Sequence, residues 1–278
     1  MNIEGYKTMS LAESNGVLTA TISHGDLNLL DLVMLGELDR LGREVEADPA
    51  IKVLVFQSAN PEFFVAHADL GVIGQLPPEP PPRNGKLGLA HAVFDRLRTM
   101  PKVTIAKIEG RARGGGSELA LACDMRFATI GRGVLGQPEV GVGIIPGAGA
   151  TVRLPQLVGR GRALEIMLGC GDIPADVAER YGYINRALPP EEIEYFVRSL
   201  AARIASFPAE AIAAVKEMVA AGEQGMEDRF AREEVLFLRA VHSDPAKRRM
   251  AAAMAGGMQT PVLERCCFTH IWGPLAGV

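Results

Sequence analysis

The 278-residue chain has no excess of charge of either sign: 29 basic residues stand against 33 acidic ones, a formal net charge of −4 at pH 7. That excludes the broad positive footprint with which nucleic-acid-binding proteins meet phosphate. An anionic ligand would have to be met by local groups. Cysteine is scarce, and Cys123, Cys170, Cys266 and Cys267 show no CxxC spacing. His24, His91, His242 and His270 show no metal-ligand spacing either, so no metal is implied. The first 22 residues carry Glu4, Lys7 and Glu13 and do not form a signal peptide, which together with the cysteine usage predicts a reducing, cytoplasmic setting. Long hydrophobic runs are missing too. The most apolar stretch, residues 119–130, is cut by Asp124 and Arg126 and falls well short of the ~20 residues that span a bilayer. No membrane-spanning helix is expected. Nor is there a fixed repeat of roughly 20–50 residues, which excludes a solenoid.

What is present is ordinary globular material, 48% hydrophobic and 22% charged, long enough for one large or two small domains of roughly 150 residues. Residues 16–23 alternate Val17, Thr19 and Thr21 with Leu18, Ala20 and Ile22 before the turn-forming Ser23-His24-Gly25-Asp26. The pattern predicts an edge strand, then a hairpin or a crossover. From Asp31, the apolar residues Leu32, Leu35, Leu38, Leu41 and Val45 recur every three or four positions, the stripe of an amphipathic helix. The runs Val53-Leu54-Val55-Phe56 and Val103-Thr104-Ile105-Ala106 read as strands covered on both faces of a mixed sheet. The fold class is therefore α/β. The proline cluster within residues 75–84 can be neither helix nor central strand and is read as a surface loop. Beyond Pro189 the periodicity is helical, over residues 193–205, 208–221 and 226–241, with Pro208 suited to a first turn.

Three segments resist a purely structural reading: residues 61–70, 107–124, and 135–149. In the second, Gly114-Gly115-Gly116 lets backbone approach a ligand closely, and Ser117-Glu118 opens a helix; orphan amides at a helix N-terminus suit an anion or a developing oxyanion. Taken singly, the glycines would serve equally as a tight strand-to-helix turn, Glu118 as a first-turn acid and Glu139 as a solvated loop acid. Familiar motifs fail here. No lysine precedes Ser117, which removes a phosphate-binding P-loop. The closing glycine of a nucleophile elbow is missing after Ser117. Pro146 occupies the place of the third glycine of a dinucleotide fingerprint.

Gly-Gly-Gly-x-Glu-Leu-Ala-x-Ala-Cys-Asp at 114–124, Gln137-Pro138-Glu139 and Ile145-Pro146-Gly147-Ala148-Gly149 occur in the order in which the enoyl-CoA hydratase/isomerase (crotonase) superfamily carries them, and the chain resembles that superfamily over about residues 10–205. The resemblance implies a crotonase-like spiral of ββα units, with residues 1–205 as the core and 206–278 as a helical region for oligomerisation. It implies an acyl-CoA thioester as partner, coenzyme A entering as part of the substrate with no separate cofactor. It implies an oxyanion hole from the amides of Ala68 and Gly115, and Glu118 and Glu139 as the groups that hold water. Glu118 would orient or deprotonate that water and Glu139 would protonate C2. Ala66, His67, Asp69, Leu70, Gly114 and Gly147 would line the substrate, with Asp69 also a cap or turn residue.

The implied activity is hydration of a 2-enoyl-CoA, with isomerisation, hydrolysis or decarboxylation of an acyl-CoA as alternatives within the superfamily. A CoA-binding or interaction protein with little turnover is the alternative outside it. The implied assembly is a homotrimer or a dimer of trimers, and apolar residues on several faces of the helices after Pro208 point the same way. Two departures stand out: His67 replaces the glycine usual before the oxyanion residue, and the tail lacks the family's phenylalanine and lysine-arginine pair. The unusual tail from Pro261 is expected either to strengthen a subunit contact or to dock back on its own subunit.

Overall fold

The computed structural model describes residues 4–80, 87–220 and 225–266. An antiparallel pair, β1 (Met9–Ser14) and β2 (Val17–Ile22), leads into α1 (Leu32–Ala47). Asp31 caps that helix by accepting the Met34 amide at 2.8 Å, satisfying one of the orphan donors of its first turn. Its stripe behaves as the sequence predicts, with Leu35, Leu38, Leu41 and Val45 buried, except that Leu32 is exposed.

Three spiral turns follow. The first is β3 (Val53–Ser58), β4 (Phe63–Val65) and the one-turn α2 (Leu70–Ile73), after which α3 (Leu89–Thr99) crosses back. The second is β5 (Val103–Ile108), β6 (Arg111–Arg113) and α4 (Gly115–Ala122). The third is β7 (Met125–Thr129), β8 (Val134–Gly136), a 3-10 turn over Glu139–Val142, and α5 (Ala150–Gly169), itself kinked at Gly159. In each turn the first strand joins a large sheet, ordered β1-β2-β3-β5-β7-β10, and the second joins a small one, ordered β4-β6-β8-β9. The chain continues through β9 (Ile173–Pro174), α6 (Ala175–Tyr181) and β10 (Arg186–Leu188) to α7 (Pro190–Ala205), α8 (Ala209–Ala220), α9 (Met226–Val241), α10 (Asp244–Ala255) and α11 (Pro261–Glu264).

The large sheet is covered on both faces, as its unbroken apolar strands require. Leu54, Phe56, Ala106 and Ile108 face the main core with α1 and α3, while Val53, Val55, Val103 and Ile105 face Ile193, Val197 and Ala201 of α7. Each such buried branched side chain contributes roughly 1.5–3 kcal/mol.

The edge-strand expectation for residues 16–23 is corrected. β2 lies inside the sheet, antiparallel to β1 from Met9↔Ile22 to Ser14↔Val17 and parallel to β3. Its alternation reports one face less covered than the other, not an edge; the true edge strand is β1, mostly exposed beyond Met9. Residues 75–80 of the proline-rich stretch form neither helix nor strand, and residues 81–84 of it lie outside the described residues. α8 has no buried residue, leaving Val215, Met218 and Val219 exposed. Among the described residues no helix is long and apolar enough to cross a membrane.

Candidate active site

The small sheet brings the three segments together. β4, β6 and β8 are adjacent and parallel, with Phe63 opposite Arg111 and Arg111 opposite Val134. The chain therefore leaves their C-terminal ends side by side, toward Ala68 from β4, Gly115 from β6 and Glu139 from β8. These ends open on a cavity of about 280 Å³ to which Ala68, Gly114, Gly115, Glu118, Glu139 and Gly147 all contribute, as do His67, Asp69 and Leu70. Ala66 stands outside it. It packs with Leu27 and Phe63, because alternate residues of an extended segment face opposite sides.

Two backbone amides point into the site. The Leu30 amide donates to the His67 carbonyl at 2.9 Å and the Asp69 amide to the Leu30 carbonyl at 3.0 Å. This single parallel bridge leaves the Ala68 amide on the opposite side. Gly115 opens α4, where the first amides lack helical acceptors. Among the described residues neither the Ala68 nor the Gly115 amide meets an acceptor. A Cβ placed on Gly115 would lie 3.4 Å from the Ala68 nitrogen, so the two donors are near neighbours. The turn needs Gly114, whose φ of 46° and ψ of −123° L residues avoid. Paired, unsatisfied amides at a helix start can hold an oxyanion.

The two glutamates flank that pair. Glu118 is buried, and one carboxylate oxygen accepts the amides of Ala148 at 2.8 Å and Ala150 at 3.0 Å. Burial, with the Glu233 carboxylate adding to it, pushes its pKa up to about 7, although those two amides pull the other way. Glu139 is half-buried at the start of its 3-10 turn. Burial and the Glu118 charge hold its pKa well above the carboxylate range. Its Oε1 lies where a side chain on Gly114 would sit, 2.8 Å from a Cβ there. With its amide nitrogen turned toward Glu139, Gln137 donates to both carboxylate oxygens at 3.2 Å and accepts from the Ser117 hydroxyl at 3.1 Å.

A second buried network lies behind Glu118. His91 of α3 donates from Nε2 to Glu233 of α9 at 3.0 Å, and the other oxygen of Glu233 accepts the Thr151 amide at 3.0 Å and the Thr151 hydroxyl. Glu118 and Glu233 thus cap consecutive amides, Ala150 and Thr151, at the start of α5. Neither partner of this pair is marked by the sequence, because a contact spanning 142 positions leaves no local signature. Phe237 and Leu238 of α9 and Met258 beyond α10 also wall the cavity, with the Phe237 ring directly over Gly147. Asp69 caps α2 by accepting the Gly71 amide at 2.7 Å, as expected of a turn residue.

The tail docks back on its own subunit as far as it is described. Glu264 meets His67 at 2.9 Å, and Arg265 forms a two-pronged ion pair with Glu62 at 2.6 and 2.7 Å. Residues 267–278, with Phe268, Ile271 and Trp272, lie outside the described residues.

Two sheets wound together by ββα turns, opening on paired amides and carboxyls at the ends of the short strands, define a crotonase-class protein. The chain belongs to the enoyl-CoA hydratase/isomerase family, whose model matches residues 12–255. It is 38% identical over 201 residues to the crotonyl-CoA hydratase of Syntrophomonas wolfei, covering 72% of this chain and 75% of that protein. It is 36% identical over 198 residues to the short-chain-enoyl-CoA hydratase of Clostridium acetobutylicum, covering 71% and 75%. Its fold superposes on the crystal structure of a candidate enoyl-CoA hydratase of Streptomyces avermitilis with a TM-score of 0.90, at 37% identity and over 98% and 99% of the two chains.

Proposed function

We propose that this enzyme adds water across the double bond of a 2-enoyl-CoA thioester to give a 3-hydroxyacyl-CoA. The observation that carries the reading is the presence, in one cavity, of the acceptor-free Ala68 and Gly115 amides together with both Glu118 and Glu139. The thioester carbonyl oxygen sits between the amides. Attack of water at C3 pushes the double-bond electrons onto that oxygen as an enolate, which the preorganised N–H dipoles stabilise. The enolate then takes a proton at C2, so water is added as a hydroxyl at C3 and a hydrogen at C2.

The carboxyls divide the proton work, and they titrate as a pair. Glu118, whose anion is supported by two amides, orients the water and accepts its proton. Glu139, whose proton is held more tightly than an ordinary carboxyl's by burial and by the neighbouring Glu118 charge, is the group that delivers a proton to C2. An isomerase moving a double bond needs only one such group, so the pair favours hydration. Coenzyme A arrives as part of the substrate. The names of the two curated relatives, crotonyl-CoA hydratase and short-chain-enoyl-CoA hydratase, make short acyl chains the first to test. Cys123, Cys170 and Cys266, none of them in a disulfide among the described residues, are in keeping with a cytoplasmic setting. The exposed apolar face of α8 supports a trimer or a dimer of trimers.

The test is a turnover assay with 2-enoyl-CoA thioesters of several lengths. Hydration of at least one, lost by about 10²–10⁴-fold in both Glu118→Gln and Glu139→Gln while thioester binding persists, is the expected result. Double-bond migration as the main reaction, or full hydration in either variant, overturns the two-carboxyl reading.

A further inference from the structure

Glu264 is a carboxylate with no access to solvent, a placement that is unfavourable unless charge and hydrogen bonds offset the lost hydration. Its Oε1 accepts from His67 Nε2 at 2.9 Å and from the Gln259 amide at 2.9 Å, and Oε2 stands 3.6 Å from Arg113 Nη1. Burial works against its ionisation, yet His67, the Gln259 amide and Arg113 together hold its pKa below the usual value. His67 in turn faces the Ala68 carbonyl from Nδ1 at 2.9 Å. Both ring nitrogens therefore face oxygen atoms, one of the tail and one of the donor loop.

The same short segment reaches the other half of the site. Arg113 grips Asp172 with two bonds of 2.7 and 2.8 Å and donates to the carbonyls of Glu264 and Cys266, each at 2.9 Å. Gln259, held at a φ of 68° that non-glycine residues rarely adopt, also reaches Asp69 at 3.4 Å. The tail thus holds the residues on either side of Ala68 and the residue two positions before Gly115. Strand pairing sets β4 and β6 side by side with an irregular register between Phe63 and Val65, and beyond β4 the backbone of the donor loop is tied, among the described residues, only to Leu27 and Leu30, so the tail adds the side-chain contacts that tie the loop to β6.

We propose that Glu264 is a positioning residue for the oxyanion pair: lodged between His67 and Arg113, it fixes the spacing of the Ala68 and Gly115 amides from the chain's own tail. The inference rests on the hydratase reading for its kinetic consequence but not for its geometry. With His67 where relatives carry glycine, the tail adds a side-chain restraint to the backbone bridge at Leu30.

The experiment reads the carbonyl directly. Butyryl-CoA, saturated and unable to be hydrated, is bound to the full chain, and the infrared band of its labelled thioester carbonyl is recorded for the wild type, Glu264→Gln, His67→Gly and the double variant. Crotonyl-CoA turnover is measured alongside. The wild-type band is expected to move to lower frequency on binding and to move less in each variant. Turnover in the variants is expected to fall about 10–100-fold in kcat, with KM within about twofold, since misplacement by ångström fractions costs rate more than affinity. The double variant is expected to be no worse than the poorer single one, as for residues acting through one contact. Wild-type band and kcat in folded Glu264→Gln and His67→Gly overturn the proposal, and so does a lowered kcat with an unshifted band, which would be a merely structural loss. If Glu264→Gln fails to fold, His67→Gly decides by the same two readings. A wild-type protein that shifts the band but hydrates nothing defeats the hydratase reading and leaves this one to be judged by the band alone; a wild type that hydrates crotonyl-CoA with no shift of the band overturns this proposal and leaves the hydratase reading standing.

Discussion

Gly116 and Val65 meet backbone to backbone: a Cβ on Gly116 would lie 2.1 Å from the Val65 carbonyl oxygen and 2.7 Å from its Cβ. Val65 ends β4 three residues before Ala68, and Gly116 follows Gly115, so this contact sets how near the two amide donors can come. A single methyl would force α4 off the small sheet, and overpacking of this kind costs about 1–3 kcal/mol or more. Gly116→Ala is expected to lower the melting temperature and to cut turnover by about 10²-fold or more. Thermal melting and a crotonyl-CoA assay check it, and a variant that matches the wild type in both would show that the contact is slack.

Glu118 carries a stability cost that its function would explain. Its folded pKa, about 7, lies above the ordinary carboxylate value of 4.5, so between those pH values the folded protein holds a proton that the unfolded chain has released. Stability from this group is therefore full below about pH 4.5 and is lost as pH rises through about 7. Glu118→Gln keeps an oxygen for the Ala148 and Ala150 amides but cannot ionise. Its melting temperature should equal the wild type's near pH 4.5 and exceed it by a few degrees at pH 8, measured by calorimetry across that range. A variant less stable than wild type at pH 8 would contradict the cost.

Glu233 acts on Glu118 by charge across the start of α5. Replacing it with glutamine leaves an acceptor for Thr151 but removes a negative charge, so the Glu118 pKa should fall, with burial, the Ala148 and Ala150 amides and His91 still bearing on it. The acid limb of the kcat/KM profile, where Glu118 must ionise to take the proton of water, should move to lower pH in Glu233→Gln. An acid limb that stays where it is, in a variant that folds and turns over, would assign that limb to another group.

The exposed Val215, Met218 and Val219 of α8 make a prediction about assembly. An apolar helix face left open on one chain is expected to be covered in solution by another copy. Sedimentation or light scattering should find a trimer or a dimer of trimers, and a Met218→Asp substitution should weaken it. A stable, active monomer at micromolar concentration would refute the assembly.

The sequence by itself determined most of the local elements and marked three segments that the fold brings to one cavity. The stripe from Leu35 to Val45 and the helical periodicity over residues 226–241 reappear as α1 and α9, because helical period and burial are written in neighbouring residues. The glycines at 114–116 were legible because a backbone turn that excludes side chains admits little else. The tertiary structure decided everything that depends on distance through space. It made β4, β6 and β8 neighbours, so that Ala68, Gly115 and Glu139 face one cavity, and turned Ala66 away from it. It brought Glu233 of α9 behind Glu118 and Glu264 of the tail beside His67, pairings that no local pattern could announce. It also set the ionisation of the two glutamates, because a carboxyl's pKa follows the water it loses and the charges it meets, and sequence position fixes neither.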